Sequence, residues 1–281
     1  MLNFKNLGSH YKKVRKSRGY TLGDISSDYL NKSQLSRFEN GTQMLLVDGF
    51  MHAIKGLNMT ISEFFLTIGN FEAGSLHTFG EKLQELINNQ NIEGLNELII
   101  RNPRTNEKKI FNIKVKCAIR ELSGRNLITD EERHFIDGYL TNREEWTAFD
   151  IDVFGMCLES LDSELVFQLG MQLVKKDKFR MLPYNDHIAK RTLVNIYVYM
   201  VLHGRFLYAE KIESELNILL NSMDTEERIA IYIFKKIAKF RKENTPELYV
   251  EIKKDILNLE QLGGVGLSRI IETFWLTSIK N

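Results

Sequence analysis

Apolar residues recur at helical spacing along the whole chain of 281 residues, and little in the sequence interrupts that pattern. Only three prolines occur, at positions 103, 183 and 246. Proline breaks a helix interior, because it lacks a backbone N–H and its ring clashes with the preceding turn. Apolar residues three and four positions apart line one face of a helix, whereas a half-buried strand needs strict alternation. The sequence therefore predicts an all-α protein.

The length, the charge distribution and the helix signals together divide the chain. A chain of 281 residues exceeds the usual size of one helical core, so we expect two domains or one domain with a repeat array. Residues 1–66 contain nine Lys and Arg against five Asp and Glu, whereas the remainder contains 29 against 32. Residues 69–78 lose the helical pattern and contain two glycines. We predict a five-helix domain over residues 1–68, a linker over 69–78 and a helical-repeat domain over 79–281.

Helix starts recur at intervals of about 40 residues in the second domain. We expect longer helices to begin near residues 107, 144, 185, 225 and 266, with partner helices near 129, 161, 206 and 246. The run Thr129-Asp-Glu-Glu132 has the spacing of a capping box, and Pro246 suits a first helical position. Helix pairs with this period are typical of a tetratricopeptide-like, right-handed solenoid, which presents a concave groove.

Residues 30–41 have the pattern of the recognition helix of a helix-turn-helix, with a cap at Asn31 and a stop at Gly41. A helix that enters the major groove needs hydrogen-bonding side chains facing the bases and apolar residues behind them. Leu35 and Phe38 fit the apolar positions. The residues that we expect to contact DNA on this helix are Lys32, Ser33, Gln34, Ser36, Arg37 and Asn40.

Basic residues are concentrated ahead of this segment. The first eighteen residues contain six Lys or Arg and no acidic residue, which suits contact with DNA phosphates; a solvated basic helix is the alternative. Phosphates would repel Glu39, so we expect it to form a structural ion pair with Arg15. The side chains that this leaves for phosphate contact are Lys12, Lys13, Lys16 and Arg18.

The sequence shows no constellation for catalysis or metal binding. The six histidines are scattered, and Cys117 and Cys157 lie far apart in apolar, helix-like segments, where we expect buried, reduced thiols. Residues 263–266 are glycine-rich but follow no strand, so we expect a turn there. No signal peptide is visible, and the longest strongly apolar run, residues 196–202, is too short to span a bilayer. We expect a cytoplasmic protein without enzymatic activity, cofactor, metal or membrane contact.

The run Tyr29-Leu-Asn-Lys-Ser-Gln-Leu-Ser-Arg-Phe-Glu-Asn-Gly41, preceded by residues 12–22, resembles the DNA-binding domain of the Rgg-type (Rgg/GadR/MutR) regulators of Gram-positive bacteria. More broadly it is similar to the phage-repressor-like (XRE) helix-turn-helix. The resemblance extends loosely into the second half, through Trp146, Phe149, Phe154 and Asn195. It implies a homodimeric transcription regulator whose tetratricopeptide-like domain binds a short, imported, hydrophobic signalling peptide on its concave face.

The chain also departs from this family pattern. Leu22 stands where repressor-type domains usually have Gln, and Tyr29 stands where they usually have the Gly of the turn. Some relatives link their dimers through a cysteine shortly after the recognition helix. Residues 42–48 contain none, so we do not expect a covalent dimer.

The position of a peptide groove is less constrained by the residues. Asn195, Tyr199 and His203 recur at four-residue spacing and share one helix face with Arg191. Asn195 could hold the backbone of a bound peptide, or it could pair with a neighbouring repeat while Tyr199 lies in the core. We expect Trp146, Phe149 and Phe154 to be packing residues. The candidates for peptide contact are Arg143, Arg191, Asn195, Tyr199 and Tyr232.

These patterns favour a transcription regulator that binds palindromic or paired half-sites in double-stranded DNA as a homodimer and is switched by a peptide. Dimerisation is expected because one small recognition helix reads too few base pairs to be specific. The alternative from another class is a scaffold or antitoxin-like protein, whose solenoid binds a folded partner while the helix-turn-helix tethers it to DNA.

Overall fold

The computed structural model describes residues 4–68 and 75–280, with side chains described for 6–68 and 80–276. Helices form all the regular structure in these ranges, apart from an isolated antiparallel bridge between Ser27 and Leu30. The predicted all-α fold is confirmed. None of the helices in the described part of the chain is both long and apolar enough to cross a membrane.

The chain divides into two compact units, residues 1–79 and 80–281. The first unit contains the five helices expected there. They are α1 (Phe4–Ser17), α2 (Leu22–Ile25), α3 (Lys32–Glu39), α4 (Val47–Gly56) and α5 (Ile61–Leu66). Thr21, Asn31 and Thr60 each form a capping box, in which the cap side chain and the side chain three residues later bind each other's backbone N–H. The caps fix where these short helices begin.

An aromatic and aliphatic core holds this first unit together. Tyr11, Leu35, Phe38 and Phe64 are essentially inaccessible to solvent, and the Tyr11 ring lies 5.6 Å from that of Phe38 and 6.0 Å from that of Phe64. The buried Tyr11 hydroxyl donates a hydrogen bond of 3.0 Å to the carbonyl oxygen of Ala53 on α4. The core therefore joins α1, α3, α4 and α5.

Helices α1 and α3 approach so closely at Gly8 that no side chain fits between them. A Cβ atom placed at Gly8 would lie 1.8 Å from the carbonyl oxygen of Phe38 and 2.7 Å from its carbonyl carbon. Both neighbours are backbone atoms, which cannot swing aside as a side chain would. Gly8 therefore sets the distance between these two helices.

The second unit is an array of helices that pack mainly against their neighbours in the chain. Its first helices are α6 (Ser75–Asn88), α7 (Ile92–Glu97), α8 (Asn106–Ser123), α9 (Asp130–Thr141) and α10 (Ala148–Met156), followed by a 3-10 turn (Leu158–Ser160). The array continues with α11 (Ser163–Val174), α12 (Asp177–Arg180), α13 (Pro183–Leu202), α14 (Phe206–Leu219), α15 (Thr225–Glu243), α16 (Pro246–Gln261) and α17 (Val265–Lys280). The helical-repeat prediction is confirmed, since the starts of α8 to α11 and α13 to α17 lie within four residues of the expected ones.

Helix α13 lies at the centre of the second unit. It packs against α10, α11, α12, α14 and α15, and residues 189–201 are buried except for Arg191 and Asn195. The buried Lys190 is paired with Asp186 at 2.7 Å and Asp224 at 3.0 Å, so its charge is compensated. The buried stretch of this helix leaves one strip open, where Arg191 and Asn195 lie one turn apart.

Two boundaries differ from the sequence predictions. Residues 69–74 of the predicted linker lie outside the described residues, but residues 75–78 belong to α6. The apolar residues Leu76, Phe79 and Leu83 continue the helical spacing upstream of the predicted start. The helix expected near residue 144 begins instead at Ala148, because the backbone N–H of Thr147 donates to the Asp150 carboxylate at 2.8 Å in a capping box.

We predict that Gly8→Ala lowers the stability of the first unit by about 3 kcal/mol, because α1 and α3 must separate to admit the methyl group. Amide hydrogen exchange in α1 and α3 should accelerate, while exchange in α13 stays unchanged. Gly80→Ala is the matched control. Gly80 lies in a helix with no atom within 4 Å of an added Cβ, so that variant should be neutral or slightly more stable. Equal exchange rates in both variants would contradict the tight approach at Gly8.

Candidate functional site

Helix α3 is held at its N-terminal end by a reciprocal cap between Asn31 and Gln34. The backbone N–H of Gln34 donates to Asn31 Oδ1 at 2.9 Å, and the backbone N–H of Asn31 donates to Gln34 Oε1 at 3.0 Å. These two bonds satisfy donors that helix termini otherwise leave unpaired. Gln34 is therefore a cap residue at the front of the helix, and its amide oxygen already accepts a hydrogen bond.

One face of α3 is open to solvent, and the other is buried in the core. Leu35 and Phe38 are at most 1 % exposed, as their predicted core positions require. Ser36 is half-buried, and the Arg37 side chain makes no hydrogen bond or ion pair with any residue in the described ranges. The exposed residues of the predicted DNA-contact set on and beside α3 are Lys32, Ser33, Arg37 and Asn40.

The buried ion pair between Arg15 and Glu39 joins α1 to the end of α3. Arg15 Nε lies 2.5 Å from Glu39 Oε1, and Arg15 Nη2 lies 2.8 Å from Oε2. Their side chains are 6 % and 2 % exposed. Arg15 Nη1 also donates to the carbonyl oxygen of Tyr20 at 2.5 Å. Hydrogen bonding to Glu39 raises the pKa of Arg15, so the guanidinium stays charged and the pair holds α3 in place.

Two of the four cations expected to remain free for phosphate are bonded within the unit. Lys12 Nζ donates to Asn40 Oδ1 at 3.0 Å, and Arg18 Nη1 donates to the carbonyl oxygen of Leu57 at 2.9 Å. Arg18 thus satisfies an unpaired carbonyl at the end of α4, which the sequence pattern did not indicate. Lys13 and Lys16 are exposed, and the described residues offer neither of them a hydrogen bond or an ion pair.

A pocket opens beside α13 in the second unit. It encloses about 960 Å³ of empty space, part of it open solvent. Its walls come from α6, α8, α10, the 3-10 turn, α13 and α17, and they are mostly apolar. The apolar lining residues include Ile87, Leu122, Met156, Leu158, Val198 and Phe274. Near its edge Gln90 Nε2 donates to Thr273 Oγ1 at 2.9 Å, which links the beginning of the unit to α17.

Among the polar side chains that reach this apolar pocket, three basic or amide groups have no partner among the described residues. Arg191 and Asn195 come from the open strip of α13, and Arg269 comes from α17. The amide of Asn195 offers both a donor and an acceptor, as a peptide backbone requires. The two guanidinium groups offer positive charge. An apolar cavity with a few polar groups of this kind is the usual form of a small-ligand site.

The structure brings only three of the five predicted peptide-contact residues to this pocket. Arg191, Asn195 and Tyr199 line it. The Tyr199 hydroxyl donates to the carbonyl oxygen of Leu161 at 3.3 Å, and its ring stacks on His203 at 4.0 Å. Burial raises the pKa of Tyr199, so its hydroxyl stays protonated. Tyr199 is therefore a wall of the pocket rather than a free polar group.

The other two candidates for peptide contact, Arg143 and Tyr232, do not line this pocket. Arg143 precedes α10, where its Nε lies 3.4 Å from Asp150 Oδ1 and its guanidinium lies 4.2 Å from the Tyr139 ring centre. Tyr232 lies on the exposed face of α15. The Nζ atom of Lys236 lies 4.6 Å from the centre of its ring. Both residues make local contacts that their helical spacing did not reveal.

Glu121 and Arg269 are pocket residues that the sequence analysis missed. Burial and the neighbouring Glu159 raise the pKa of Glu121 to about 8. Glu159 itself is paired, since its carboxylate lies 3.1 Å from Arg120 Nε and 3.5 Å from His203 Nε2. One sequence signal was available, because Glu121 falls one turn after Cys117 on the buried face of α8. In the described ranges, no group of three or more His, Cys, Asp or Glu side chains could hold a metal ion.

We predict that Glu121→Gln removes a pH dependence of stability. In the folded chain Glu121 keeps its proton up to about pH 8, whereas the unfolded chain loses it near 4.5. The unfolded state thus binds fewer protons between these values, and the free energy of unfolding falls as pH rises, by at most about 1.4 kcal/mol per unit. Urea unfolding from pH 5 to 9 should show that fall for the wild type relative to Glu121→Gln, levelling off above pH 8.

The matched control is Glu131→Gln, which alters an exposed carboxylate in the first turn of α9. Its stability should run parallel to that of the wild type. If Glu121→Gln also runs parallel over the whole range, Glu121 ionises normally and the buried setting described above is incorrect.

Comparisons with known proteins place the chain among bacterial regulators. Residues 94–273 match the C-terminal domain of the HTH-type transcriptional regulator Rgg. The SHP pheromone receptor Rgg2 of Streptococcus dysgalactiae has a similar structure, with a TM-score of 0.72 at 18 % identity, covering 95 % of this chain and 98 % of that one. A Listeria monocytogenes transcriptional regulator gives a TM-score of 0.74 at 16 % identity over 99 % and 98 %. A bacterial peptide pheromone–receptor complex gives 0.65 at 15 % over 98 % and 99 %.

Proposed function

The chain belongs to the Rgg family of helix-turn-helix transcriptional regulators, and from that premise we propose that it is a homodimer controlled by a short hydrophobic peptide. In this proposal α3 reads the promoter DNA, and the pocket beside α13 binds the peptide. The observation that carries it is the open strip of α13, where Arg191 and Asn195 enter an apolar pocket without a partner among the described residues.

DNA recognition is supported by the two faces of α3. Arg37 and Ser33 are exposed on a helix whose opposite face is fixed by Leu35, Phe38 and the Glu39 ion pair. Arg binds guanine in the major groove through two parallel hydrogen bonds, and that geometry needs a rigid support. Lys13 and Lys16 offer charge for the phosphates of the same site. A homodimer places two such helices on paired half-sites about one helical turn apart.

Peptide binding is supported by the chemistry of the pocket. A peptide backbone needs donors and acceptors for its own N–H and C=O groups, which Asn195 can supply, while the apolar walls accept aliphatic side chains. Two of the structurally similar proteins are a pheromone receptor and a peptide pheromone–receptor complex. The proposal includes a cytoplasmic location, because the chain must meet both the chromosome and an imported peptide.

Control by the peptide requires that it bind two states of the dimer unequally. A ligand with equal affinity for both states shifts no equilibrium, however tightly it binds. The peptide must therefore contact the pocket differently when the DNA-binding units are placed for their half-sites and when they are not.

We predict that Arg37→Ala weakens binding to the promoter by about tenfold or more per site, because it removes a base contact worth roughly 1–3 kcal/mol. Fluorescence anisotropy with promoter DNA at physiological salt gives the affinity, and light scattering checks that the dimer persists. Arg125→Ala, at an exposed Arg of the second unit, is the matched control and should bind normally. Unchanged affinity in Arg37→Ala would contradict the assignment of α3 as the recognition helix.

We predict that Asn195→Ala leaves promoter binding intact and weakens peptide binding by about tenfold, since it removes hydrogen bonds to the peptide backbone. Synthetic fluorescent peptides composed of Leu, Ile, Val and Gly are titrated against both proteins. Asn217→Ala changes an exposed Asn on α14, outside the pocket, and serves as the control. Equal affinities in all three proteins would remove Asn195 from the site, and purification with a stoichiometric folded partner would favour the scaffold alternative.

A further inference from the structure

Glu121 is not explained by a site for a purely hydrophobic peptide. Its side chain lines the pocket and is half-buried, and the described residues offer it no hydrogen bond or ion pair. Removing a carboxylate from water is costly unless a partner compensates for the lost hydration. Leu or Met at this position would extend the apolar wall at no such cost. The carboxylate thus calls for a partner that the ligand itself would bring.

Two basic residues near Glu121, Arg120 and His203, both contact Glu159 instead. Arg120 is adjacent to Glu121 on α8, but its guanidinium binds the carboxylate and the backbone carbonyl of Glu159, the latter at 2.7 Å. His203, at the end of α13, also faces Glu159, at 3.5 Å. The buried thiol of Cys117 also interacts electrostatically with Glu121, but it carries no positive charge. Glu121 thus lies near the carboxylate of Glu159, and no basic side chain among the described residues forms an ion pair with it.

Two further cations line the same pocket from other helices. Arg191 on α13 and Arg269 on α17 both reach the cavity, yet neither lies within 4 Å of a carboxylate among the described residues. Besides the paired carboxylate of Glu159, the pocket therefore presents the unpaired carboxylate of Glu121 and two unpaired guanidinium groups. Such an arrangement complements a ligand that carries both a negative group and a positive group, as a peptide with free termini does.

We propose that Glu121 determines the charge specificity of the pocket by binding a positively charged group of the peptide, either its N-terminal ammonium or a Lys or Arg side chain. This inference rests on the proposed function of the pocket as a peptide site. The bond is a charge-assisted hydrogen bond in an apolar setting, where the loss of one partner is most costly. Arg191 and Arg269 remain available for a carboxylate of the same peptide.

The protonation of Glu121 also predicts how the affinity for a cationic peptide depends on pH. Burial and Glu159 raise the pKa of Glu121 to about 8, so the empty pocket holds it largely protonated at pH 7. A bound cation favours the carboxylate, so binding releases a proton. The affinity for a peptide with a Lys or Arg side chain therefore rises by up to about tenfold per pH unit towards pH 8 and levels off above it. The affinity for a free N-terminus rises in the same way but falls again above about pH 8, because the ammonium group loses its proton there. A peptide without a cation shows no such rise through Glu121.

The experiment uses the full chain and three pools of short synthetic peptides of Leu, Ile, Val, Phe and Gly. One pool has free N-termini, one has acetylated N-termini, and one is acetylated but contains a single Lys. Each pool is passed over immobilised protein, and the retained peptides are measured by mass spectrometry; the best binders are then titrated from pH 6 to 9. The proteins compared are the wild type, Glu121→Gln, the Glu131→Gln control and Asn195→Ala, each checked by circular dichroism.

The wild type should retain one of the cationic pools about tenfold better than the neutral acetylated pool, and the preferred pool identifies the ammonium or the Lys side chain as the partner. Glu121→Gln should lose that preference and the pH rise, yet keep its affinity for the neutral pool. Asn195→Ala should weaken all pools alike. Retention of the neutral pool with no preference for either cationic pool overturns the role of Glu121 alone. If the wild type retains no pool, the peptide site itself is overturned as well.

Discussion

The burial of α13 is the constraint on which the second unit depends. Five helices pack around it, and the one strip that they leave uncovered is the floor of the pocket. A helix interior satisfies its own backbone hydrogen bonds, so α13 can be surrounded by apolar side chains at no cost to its peptide groups. The exposure of Arg191 and Asn195 is then a property of the packing arrangement. Any change in how α10 or α17 lies against the unit alters the site.

In the first unit the main constraint is the orientation of α3, a helix of only eight residues. Short helices are marginal alone, so tertiary contacts must fix α3. Gly8 fixes its distance from α1, the caps fix where it begins, and the Arg15–Glu39 pair fixes its last turn. A buried ion pair adds little net stability over a well-packed apolar pair, but it is selective about geometry because a displaced partner leaves a buried charge. In this unit, the geometric selectivity of the ion pair keeps α3 in one orientation.

Much of the fold could be predicted because its signals are local. Thr129 with Glu132, or Thr245 with Pro246, mark helix starts within a few residues, and the period of helix pairs follows from them. The pocket could be predicted only in part. Asn195 and Arg191 share one helix, so spacing alone unites them, whereas Glu121 and Arg269 meet only after the unit has folded. For the same reason, spacing could not show that Arg143 and Tyr232 lie away from this pocket, because periodicity identifies a helix face but not which neighbour covers it.

The hydrogen bond between Gln90 and Thr273 has a consequence for the unit as a whole. In a linear array of helical repeats each repeat contacts only its neighbours, so the two ends fray independently. Here the pocket takes walls from α6 and from α17, and that bond ties the same two regions together. A ligand that fills the pocket would therefore contact both the first and the last helix of the array. Binding energy gained in the pocket would therefore oppose the opening of the terminal helices.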